Sequence, residues 1–173
     1  MKFDTSIVQT RFESPLGSVI IAATDKGLVG LWFDGQRHLP PELAVAELWP
    51  SDPNHPVLRA AREQLREYFA GQRTAFDLPL DLAYGTAFQQ SVWQALLKIP
   101  RGGTASYGEV SQRIGKPAAV RAVGAAIGRN PVSIIVPCHR VLGADGSLTG
   151  YAGGLERKIA LLRLEGVTVE GVL

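Results

Sequence analysis

Residues 106–128 read SYGEVSQRIGKPAAVRAVGAAIG and contain two short helical patterns separated by a turn. Ser106, with Glu109 three residues later, forms a capping-box pattern, which predicts that a short helix begins there. Residues 115–117 predict a turn, and a second helix is expected over residues 118–128. Two short helices joined by a glycine-containing turn are typical of a helix-turn-helix, although an ordinary pair of antiparallel helices has the same pattern.

The second predicted helix has one face of small residues. Val120, Val123 and Ile127 can form a buried stripe. The opposite side carries almost only Ala and Gly, with Arg121 as its one long side chain. A helix that reads the major groove of DNA normally presents several polar side chains, whereas this surface suits close approach to a narrow groove with one arginine projecting into it. The alternative is a helix packed tightly against a neighbour, with Arg121 at the solvent edge.

The N-terminal half has the pattern of a small α/β unit. Three short β-rich runs are separated by turn residues, at residues 7–8, 19–22 and 28–33. Residues 35–56 are polar and proline-bearing and predict a long surface connection, which is followed by a helix from Pro56 to Gly71. Residues 75–80 predict one more edge strand. No catalytic constellation is found in this half.

The C-terminal half has a mostly helical pattern. Thr86 and Gln89 form another capping-box pattern that begins a helix, and a last helix ends just before Glu165. The predicted fold class is therefore α+β, with a small N-terminal α/β supporting domain over residues 1–85 and a mostly helical C-terminal domain with the helix-turn-helix over residues 86–173.

Formal charge differs between these two predicted domains. Residues 1–85 carry 8 basic and 11 acidic residues, whereas residues 86–173 carry 10 basic and 5 acidic residues, and the net charge of the whole chain is +2. The asymmetry suggests that the second half approaches an anionic partner, although chance scatter of surface charge gives the same counts.

Composition excludes several classes of protein. The 173 residues are 46% hydrophobic and 20% charged, which is typical of a globular protein, and no apolar stretch approaches the ~18 residues of a membrane span. Residues 1–10 include Asp4 and lack the apolar segment of a secretory signal. One cysteine cannot form an internal disulfide, and with three histidines it gives no zinc-finger spacing. We expect a reduced, cytoplasmic protein without a metal or cofactor.

The single cysteine lies in residues 130–141, NPVSIIVPCHRV. A lone cysteine most often packs as a small buried hydrophobic residue. Here His139 and Arg140 follow Cys138 directly, and neighbouring cationic groups favour the thiolate, the form that attacks electrophiles. Pro137 favours a turn or helix start, which is needed to bring consecutive side chains to one side. The residue types therefore favour a reactive cysteine.

The sequence PCHRV at residues 137–141, preceded by RNP at 129–131, resembles the active-site signature of the O6-alkylguanine-DNA alkyltransferase family. The resemblance runs from Phe88 to Gly166 through SYG at 106–108, RAVG at 121–124, GYAGG at 150–154 and LEG at 164–166. It implies a winged-helix-like C-terminal domain and, more loosely, a ribonuclease-H-like N-terminal domain. The implied activity is direct, irreversible transfer of the alkyl group from guanine O6 to the cysteine, with the base flipped out of the duplex. O4-alkylthymine is a second implied substrate.

The resemblance also implies catalytic roles for five residues. Cys138 is the alkyl acceptor, His139 acts through a water as its base, and Glu165 orients the imidazole, as in other nucleophile–histidine–acid relays. Tyr107 resembles the tyrosine that donates a hydrogen bond to the flipped guanine, and Asn130 resembles the asparagine that ties the second helix to the active-site segment. Independently, a glutamate at a helix C-terminus opposes the helix dipole and is expected to have a cationic partner, although a solvated glutamate is the alternative.

A second set of residues is implied to contact DNA and the flipped base: Arg121, Ala122, Tyr151, Ala152, Val141 and Gly153. Arg121 resembles the arginine that fills the vacated place in the base stack, from a helix that lies in the minor groove. Tyr151 and the Gly153-Gly154 pair form the lid of the pocket, with Ala152 after the lid tyrosine. Val141 offers backbone contacts to the base, and Lys158 lies near the sulfur.

The expected partner is therefore double-stranded DNA containing O6-alkylguanine, bound by a monomer that can contact neighbours on the DNA. Few basic residues flank the site, so we expect modest affinity with a shallow salt dependence. Some family members bind zinc in the N-terminal domain, but one cysteine cannot reproduce a cysteine-ligated site. The residues alone leave two alternatives, which are a cysteine–histidine hydrolase or acyltransferase and a DNA-binding regulator with a structural or sensing cysteine.

Overall fold

A computed structural model of the chain describes residue 3, residues 6–45 and residues 48–169. The fold is mixed α+β, as predicted, and the chain divides into two compact units, residues 1–85 and residues 86–173. None of the helices in the described part of the chain is long and apolar enough to cross a membrane.

The N-terminal unit is built on an antiparallel meander. Its strands are β1 (Val8–Ser14), β2 (Gly17–Thr24) and β3 (Gly27–Phe33), in the order β1-β2-β3. Helix α1 (Pro56–Phe69) packs on this sheet through four buried side chains that recur at helical spacing, Leu58, Ala61, Leu65 and Tyr68. Every residue of β3 is buried, so this strand forms the centre of the unit's core.

Two strand predictions for the N-terminal unit are wrong. Residues 75–80 do not form an edge strand, and only Leu80 makes an isolated parallel bridge, to Leu28. The Leu28 N–H donates to the carbonyl of Pro79 at 2.9 Å, but Pro79 itself has no N–H with which to extend a ladder. Strand β1 is also longer than predicted: its mostly polar residues pair with β2 along the whole strand, from Val8 opposite Ala23 to Ser14 opposite Gly17.

The connection over residues 35–56 does not lie wholly on the surface. Trp49 is 5% exposed and packs in an aromatic cluster with Phe3 and Trp32, with ring centroids 5.7 and 5.8 Å from its own. The Trp32 ring in turn lies over Gly30, where a Cβ would come within 1.8 Å of it, so only glycine fits there. Burial of large aromatic area explains why this polar segment is drawn onto the core.

The C-terminal unit carries four helices and two short strands in its described residues: α2 (Ala87–Leu96), β4 (Ala105–Ser106), α3 (Tyr107–Arg113), α4 (Val120–Gly128), β5 (Val141–Leu142) and α5 (Leu155–Leu164). Both predicted capping boxes are confirmed. The Gln89 N–H donates to Thr86 Oγ1 at 3.1 Å, and the Glu109 N–H donates to Ser106 Oγ at 3.0 Å, with both reciprocal bonds formed.

Helices α3 and α4 are joined by a six-residue turn at 114–119, in which Gly115 adopts a φ of 74°, a conformation that favours glycine. Helix α4 begins at Val120 rather than at residue 118. Val120 is 39% exposed, so its predicted place in the buried stripe is wrong: as the first helical residue it lies before the face that packs. The buried stripe consists instead of Val123, Ala126 and Ile127.

The packing of this unit brings two distant segments together. Helices α2, α3 and α4 pack against one another, and the Trp93 indole N–H donates to the carbonyl of Ala126 at 2.8 Å. Strand β4 pairs in parallel with β5, with Ala105 opposite Val141. Because Tyr107 directly follows β4, this pairing places the start of α3 beside the segment that follows Cys138.

Candidate active site

Cys138 begins a short 3-10 turn, Cys138–Arg140, after the buried residues 131–137. The Cys138 N–H donates to the carbonyl of Val136 at 2.8 Å, and the Arg140 N–H donates to that of Pro137 at 3.0 Å. The predicted turn after Pro137 is therefore present. However, successive side chains of a 3-10 turn are spaced by about 120°, and the cysteine side chain does not share the direction of the histidine and arginine side chains, which both reach Glu165.

Asn130 holds this segment together from the end of α4. Its Nδ2 donates to the Cys138 sulfur at 3.2 Å and to the carbonyl of Val136 at 2.8 Å, while its Oδ1 accepts from the N–H of Val132 at 3.0 Å. Within the loop, the buried Ile134 adopts a φ of 73°, which is unfavourable for a β-branched residue by roughly 1–3 kcal/mol. The asparagine therefore braces a strained loop and polarises the thiol with the same amide.

Burial raises the pKa of the Cys138 thiol above its usual value. Its side chain is only 5% exposed, and this desolvation outweighs the groups that favour the thiolate. Those groups are the Asn130 amide, the Lys158 charge, the backbone and the Tyr151 hydroxyl. The expected effect of the neighbouring His139 and Arg140 side chains on the thiol is not found: neither is among the groups that lower its pKa, and both hydrogen-bond Glu165.

His139 and Glu165 form a buried pair, with His139 Nε2 2.9 Å from Glu165 Oε2 and both side chains fully buried. Burial lowers the pKa of His139 below its ordinary value of 6.5 despite the opposing carboxylate, and the charges of Arg140 and Lys158 lower it further. The imidazole is therefore neutral at pH 7. The hydrogen bond to Glu165 places its proton on Nε2. His139 Nδ1 then carries a lone pair, and it has no hydrogen-bond partner among the described residues.

Arg140 is a site residue whose role the sequence pattern did not indicate. Its Nε donates to Glu165 Oε1 at 2.8 Å and its Nη2 to Oε2 at 2.9 Å, while Nη1 donates to the carbonyl of Ile99 at 2.6 Å. The cationic partner expected for Glu165 at the end of α5 is thus confirmed, and the alternative of a solvated glutamate is wrong because Glu165 is 5% exposed. No sequence signal distinguished Glu165 from Cys138 as the target of this guanidinium.

Lys158 places a cation in the same buried site. Its side chain is fully buried, and Nζ lies 2.7 Å from the carbonyl of Val141, 3.3 Å from that of Thr149 and 3.5 Å from Thr149 Oγ1. Burial lowers the pKa of Lys158 to about 8, while Cys138 acts in the opposite direction. The predicted proximity of Lys158 to the sulfur agrees with this mutual effect of the two groups.

Thr149 links this cation to Tyr107. The Tyr107 hydroxyl lies 2.7 Å from Thr149 Oγ1. Tyr151 and Gly153 are buried and Ala152 is half-buried. Both backbone groups of Val141 have partners in the protein, since its carbonyl accepts from Lys158 and its N–H donates to the carbonyl of Cys138.

The outer face of α4 is small and exposed, as predicted. Arg121, Ala122 and Ala125 are all exposed, and no hydrogen bond or ion pair is found for the Arg121 guanidinium among the described residues. The same part of the chain contains no cluster of three or more His, Cys, Asp or Glu side chains that could hold a metal ion.

The unit that contains the buried thiol and the His139–Glu165 pair also contains two helices with the helix-turn-helix pattern, as expected for a DNA-associated protein with a cysteine at its site. Comparison with known proteins narrows this class. Residues 87–167 match the DNA-binding domain of 6-O-methylguanine DNA methyltransferase, and residues 7–82 match its ribonuclease-like domain. The chain belongs to the 6-O-methylguanine DNA methyltransferase family.

Individual relatives are similar in sequence to most of this chain. A methylated-DNA–protein-cysteine methyltransferase of Mycobacterium tuberculosis is 51% identical over 153 residues, which are 88% of each chain. One of Methanosarcina acetivorans is 49% identical over 156 residues, which are 90% of this chain and 96% of that one. The crystal structure of the M. tuberculosis protein in complex with DNA matches with a TM-score of 0.80 and 48% identity, over 92% of this chain and 91% of that one.

Proposed function

We propose that this protein repairs DNA by transferring the alkyl group of O6-alkylguanine directly and irreversibly to Cys138. The observation that carries the proposal is the arrangement around the sulfur, in which the Asn130 amide donates to Sγ and a neutral His139, oriented by Glu165, offers a proton acceptor. Its relatives bear the name methylated-DNA–protein-cysteine methyltransferase and one is known bound to DNA, which supports the same chemistry here.

Activation of the thiol is the first step. The Cys138 proton passes through a water to His139 Nδ1, and the resulting imidazolium is stabilised by Glu165 Oε2 at 2.9 Å. The thiolate is stabilised by the Asn130 N–H and by the charge of Lys158. Burial opposes ionisation of the sulfur, so the resting thiol stays protonated and does not react with other electrophiles. The Asn130 N–H and the Lys158 charge lower the cost of forming the thiolate for the reaction.

Transfer is a single displacement at the alkyl carbon. The sulfur lone pair forms the S–C bond while the C–O bond breaks, and its electron pair stays on the departing guanine, which is stabilised by a hydrogen bond from Tyr107. The product is a thioether, which water does not cleave, so each molecule acts once. The thiol itself is the acceptor, and no other group carries the alkyl.

The base must leave the stack to reach a sulfur that is 5% exposed. Base flipping requires a few kcal/mol of unstacking, less for an alkylated base that pairs poorly. The exposed face of α4, with Ala122 and Ala125, fits against the minor groove, and Arg121 occupies the place of the flipped base. Residues 86–173 thus form the DNA-binding alkyltransferase domain, for which residues 1–85 act as a supporting domain.

The finer proposals concern substrate and compartment. O4-alkylthymine carries the same alkyl–oxygen bond and is a second substrate. Selectivity between substrates depends on the shape of the pocket around Tyr107, Ile127 and Ala152. The other residues that line this pocket are Tyr151, Gly153 and Val141. Because the acceptor must remain a free thiol, the protein acts in a reducing compartment, the cytoplasm.

The test uses the intact chain and duplex DNA that contains one O6-methylguanine. Intact mass and peptide mapping are expected to show one methyl group on Cys138, at no more than one equivalent, and none in the Cys138→Ala variant. Since Cys138 is the single cysteine of the chain, the adduct has one possible thiol position. A matched duplex with O4-methylthymine tests the second substrate.

Other outcomes would identify the alternatives. A hydrolase or acyltransferase would turn over without a stable methyl adduct. A DNA-binding regulator would bind undamaged DNA and leave the lesion in place. Failure of the wild-type chain to acquire a methyl group from the lesion would reject the proposed function.

A further inference from the structure

The three protons of the buried Lys158 ammonium have three acceptors, two of which belong to Thr149. Nζ lies 2.7 Å from the carbonyl of Val141, 3.3 Å from the carbonyl of Thr149 and 3.5 Å from Thr149 Oγ1. An ammonium group donates and never accepts, so each of these oxygens turns a lone pair towards the cation. The hydroxyl of Thr149 is therefore approached by positive charge from the Lys158 side.

The same hydroxyl is 2.7 Å from the hydroxyl of Tyr107. Either hydroxyl could donate in this bond, and the two directions have opposite chemical consequences. If Tyr107 donates to Thr149, the Tyr107 proton is used inside the protein. If Thr149 donates to Tyr107, the Tyr107 proton is free for a bound base.

The cation favours the second direction. With a lone pair of Oγ1 turned to Nζ, the O–H dipole of Thr149 is favoured when its proton lies away from Lys158 and towards Tyr107. Donors arranged in series also polarise one another, so each bond of the chain Lys158 to Thr149 to Tyr107 strengthens the next.

We propose that Thr149 is a positioning residue, which relays the orientation imposed by Lys158 to Tyr107 and so directs the Tyr107 proton towards the base in the pocket. The proposal rests on the proposed function, in which Tyr107 donates to the departing guanine. In the transition state the C–O electron pair moves onto that base, and a hydrogen bond whose donor is already oriented stabilises this charge without rearrangement.

Two variants separate the hydroxyl from the bulk of the side chain. Thr149→Val is nearly isosteric and lacks the hydroxyl, whereas Thr149→Ser keeps the hydroxyl and lacks the methyl. We expect Thr149→Val to slow single-turnover methyl transfer at saturating DNA by about tenfold with little change in the half-saturating concentration, while Thr149→Ser stays within about twofold of wild type. In a Tyr107→Phe background, Thr149→Val should have no further effect.

Three outcomes would overturn the proposal. Thr149→Val could transfer the methyl group at the wild-type rate, or Thr149→Val and Thr149→Ser could be slowed equally. Thr149→Val could also slow transfer as much in the Tyr107→Phe background as it does in the wild type. Thermal unfolding of each variant identifies misfolding. If Thr149→Val misfolds, neutron diffraction of the deuterated wild-type protein decides instead, with the Thr149 deuteron expected on the line to Tyr107. A Tyr107 deuteron on that line would overturn the inference. Absence of any methyl adduct in the wild type would reject the proposed function, whereas the neutron result tests the relay by itself.

Discussion

Arg140 binds both carboxylate oxygens of Glu165, with Nε 2.8 Å from Oε1 and Nη2 2.9 Å from Oε2. The Oε2 atom is also the partner of His139. The carboxylate is therefore held in place by a guanidinium while it orients the imidazole. A carboxyl group held at Nε2 in this way keeps the Nδ1 lone pair of His139 available for a proton.

Removing Arg140 should destabilise the fold strongly. In Arg140→Met, Glu165 remains as a buried carboxylate that has lost two charge-assisted hydrogen bonds, and the carbonyl of Ile99 loses its donor. We expect the free energy of unfolding to fall by about 3–5 kcal/mol, measured by urea denaturation. Adding Glu165→Gln should restore part of this loss, because the unpaired charge is gone.

The matched control is Arg66→Met, since Arg66 forms an exposed ion pair with Glu63. An exposed pair is screened by water and should contribute nothing measurable. Equal effects of the two arginine substitutions would contradict the structural role of Arg140.

Asn130 should control the ionisation of the thiol. Asn130→Asp keeps an oxygen that accepts from Val132 but loses the N–H that donates to the Cys138 sulfur, and it adds a negative charge beside the thiolate. The pKa of the thiol should therefore rise further, and the rate of alkylation by iodoacetamide should shift to higher pH. Intact mass spectrometry reads this reaction directly, because the chain has one cysteine.

A comparison with Asn130→Ala tests the same point without the added charge. In Asn130→Ala, the pH profile of alkylation by iodoacetamide should also shift to higher pH, by a smaller amount. Profiles that coincide with that of wild type would show that the amide does not act on the sulfur.

His139 should make stability depend on mildly acidic pH. Its pKa is lowered in the folded state from the ordinary value of 6.5, so below pH 6.5 the unfolded chain binds a proton that the folded chain does not. The contribution of the neutral His139 to the free energy of unfolding is therefore complete above pH 6.5. It is lost as the pH falls, by up to about 1.4 kcal/mol per pH unit. Urea denaturation between pH 5 and 7.5 should show this contribution in the wild type and lose it in His139→Gln.

His38→Asn is a suitable control. His38 is exposed and has a φ of 59°, which asparagine tolerates. In His38→Asn, the free energy of unfolding should change with pH as steeply as it does in the wild type. A His139→Gln profile that keeps the same slope would contradict the inferred neutrality of the buried imidazole.

Arg121 should matter for duplex DNA and not for the chemistry at the sulfur. We expect Arg121→Ala to slow methyl transfer from a duplex by about tenfold or more, because a flipped base then leaves an unfilled gap that favours its return to the stack. Transfer from the free base O6-methylguanine should be unchanged. Arg62→Ala, an exposed arginine of α1, removes the same charge and should leave both rates near those of wild type. Equal slowing with free base and duplex would place Arg121 in the chemical step instead.

Local signals predicted those parts of the fold that depend on neighbouring residues. The capping boxes at Thr86 and Ser106 predicted where α2 and α3 begin, because a cap involves residues only three apart. The edge strand at 75–80 and the buried place of Val120 were wrong, because each depends on what packs against the segment. The surface assignment of Trp49 failed for the same reason.

By itself, the sequence determined the starts of α2 and α3, the turn at Gly115 and the run from Pro137 to Val141 that carries the family's signature. Only the tertiary structure decided which groups act on the thiol. Cys138 and Arg140 are two residues apart, yet the Arg140 guanidinium hydrogen-bonds Glu165, 25 residues further along the chain. The groups that act on the sulfur include Asn130 and Lys158, because the 3-10 turn directs the Cys138 side chain away from its two neighbours and chain packing brings distant residues to it.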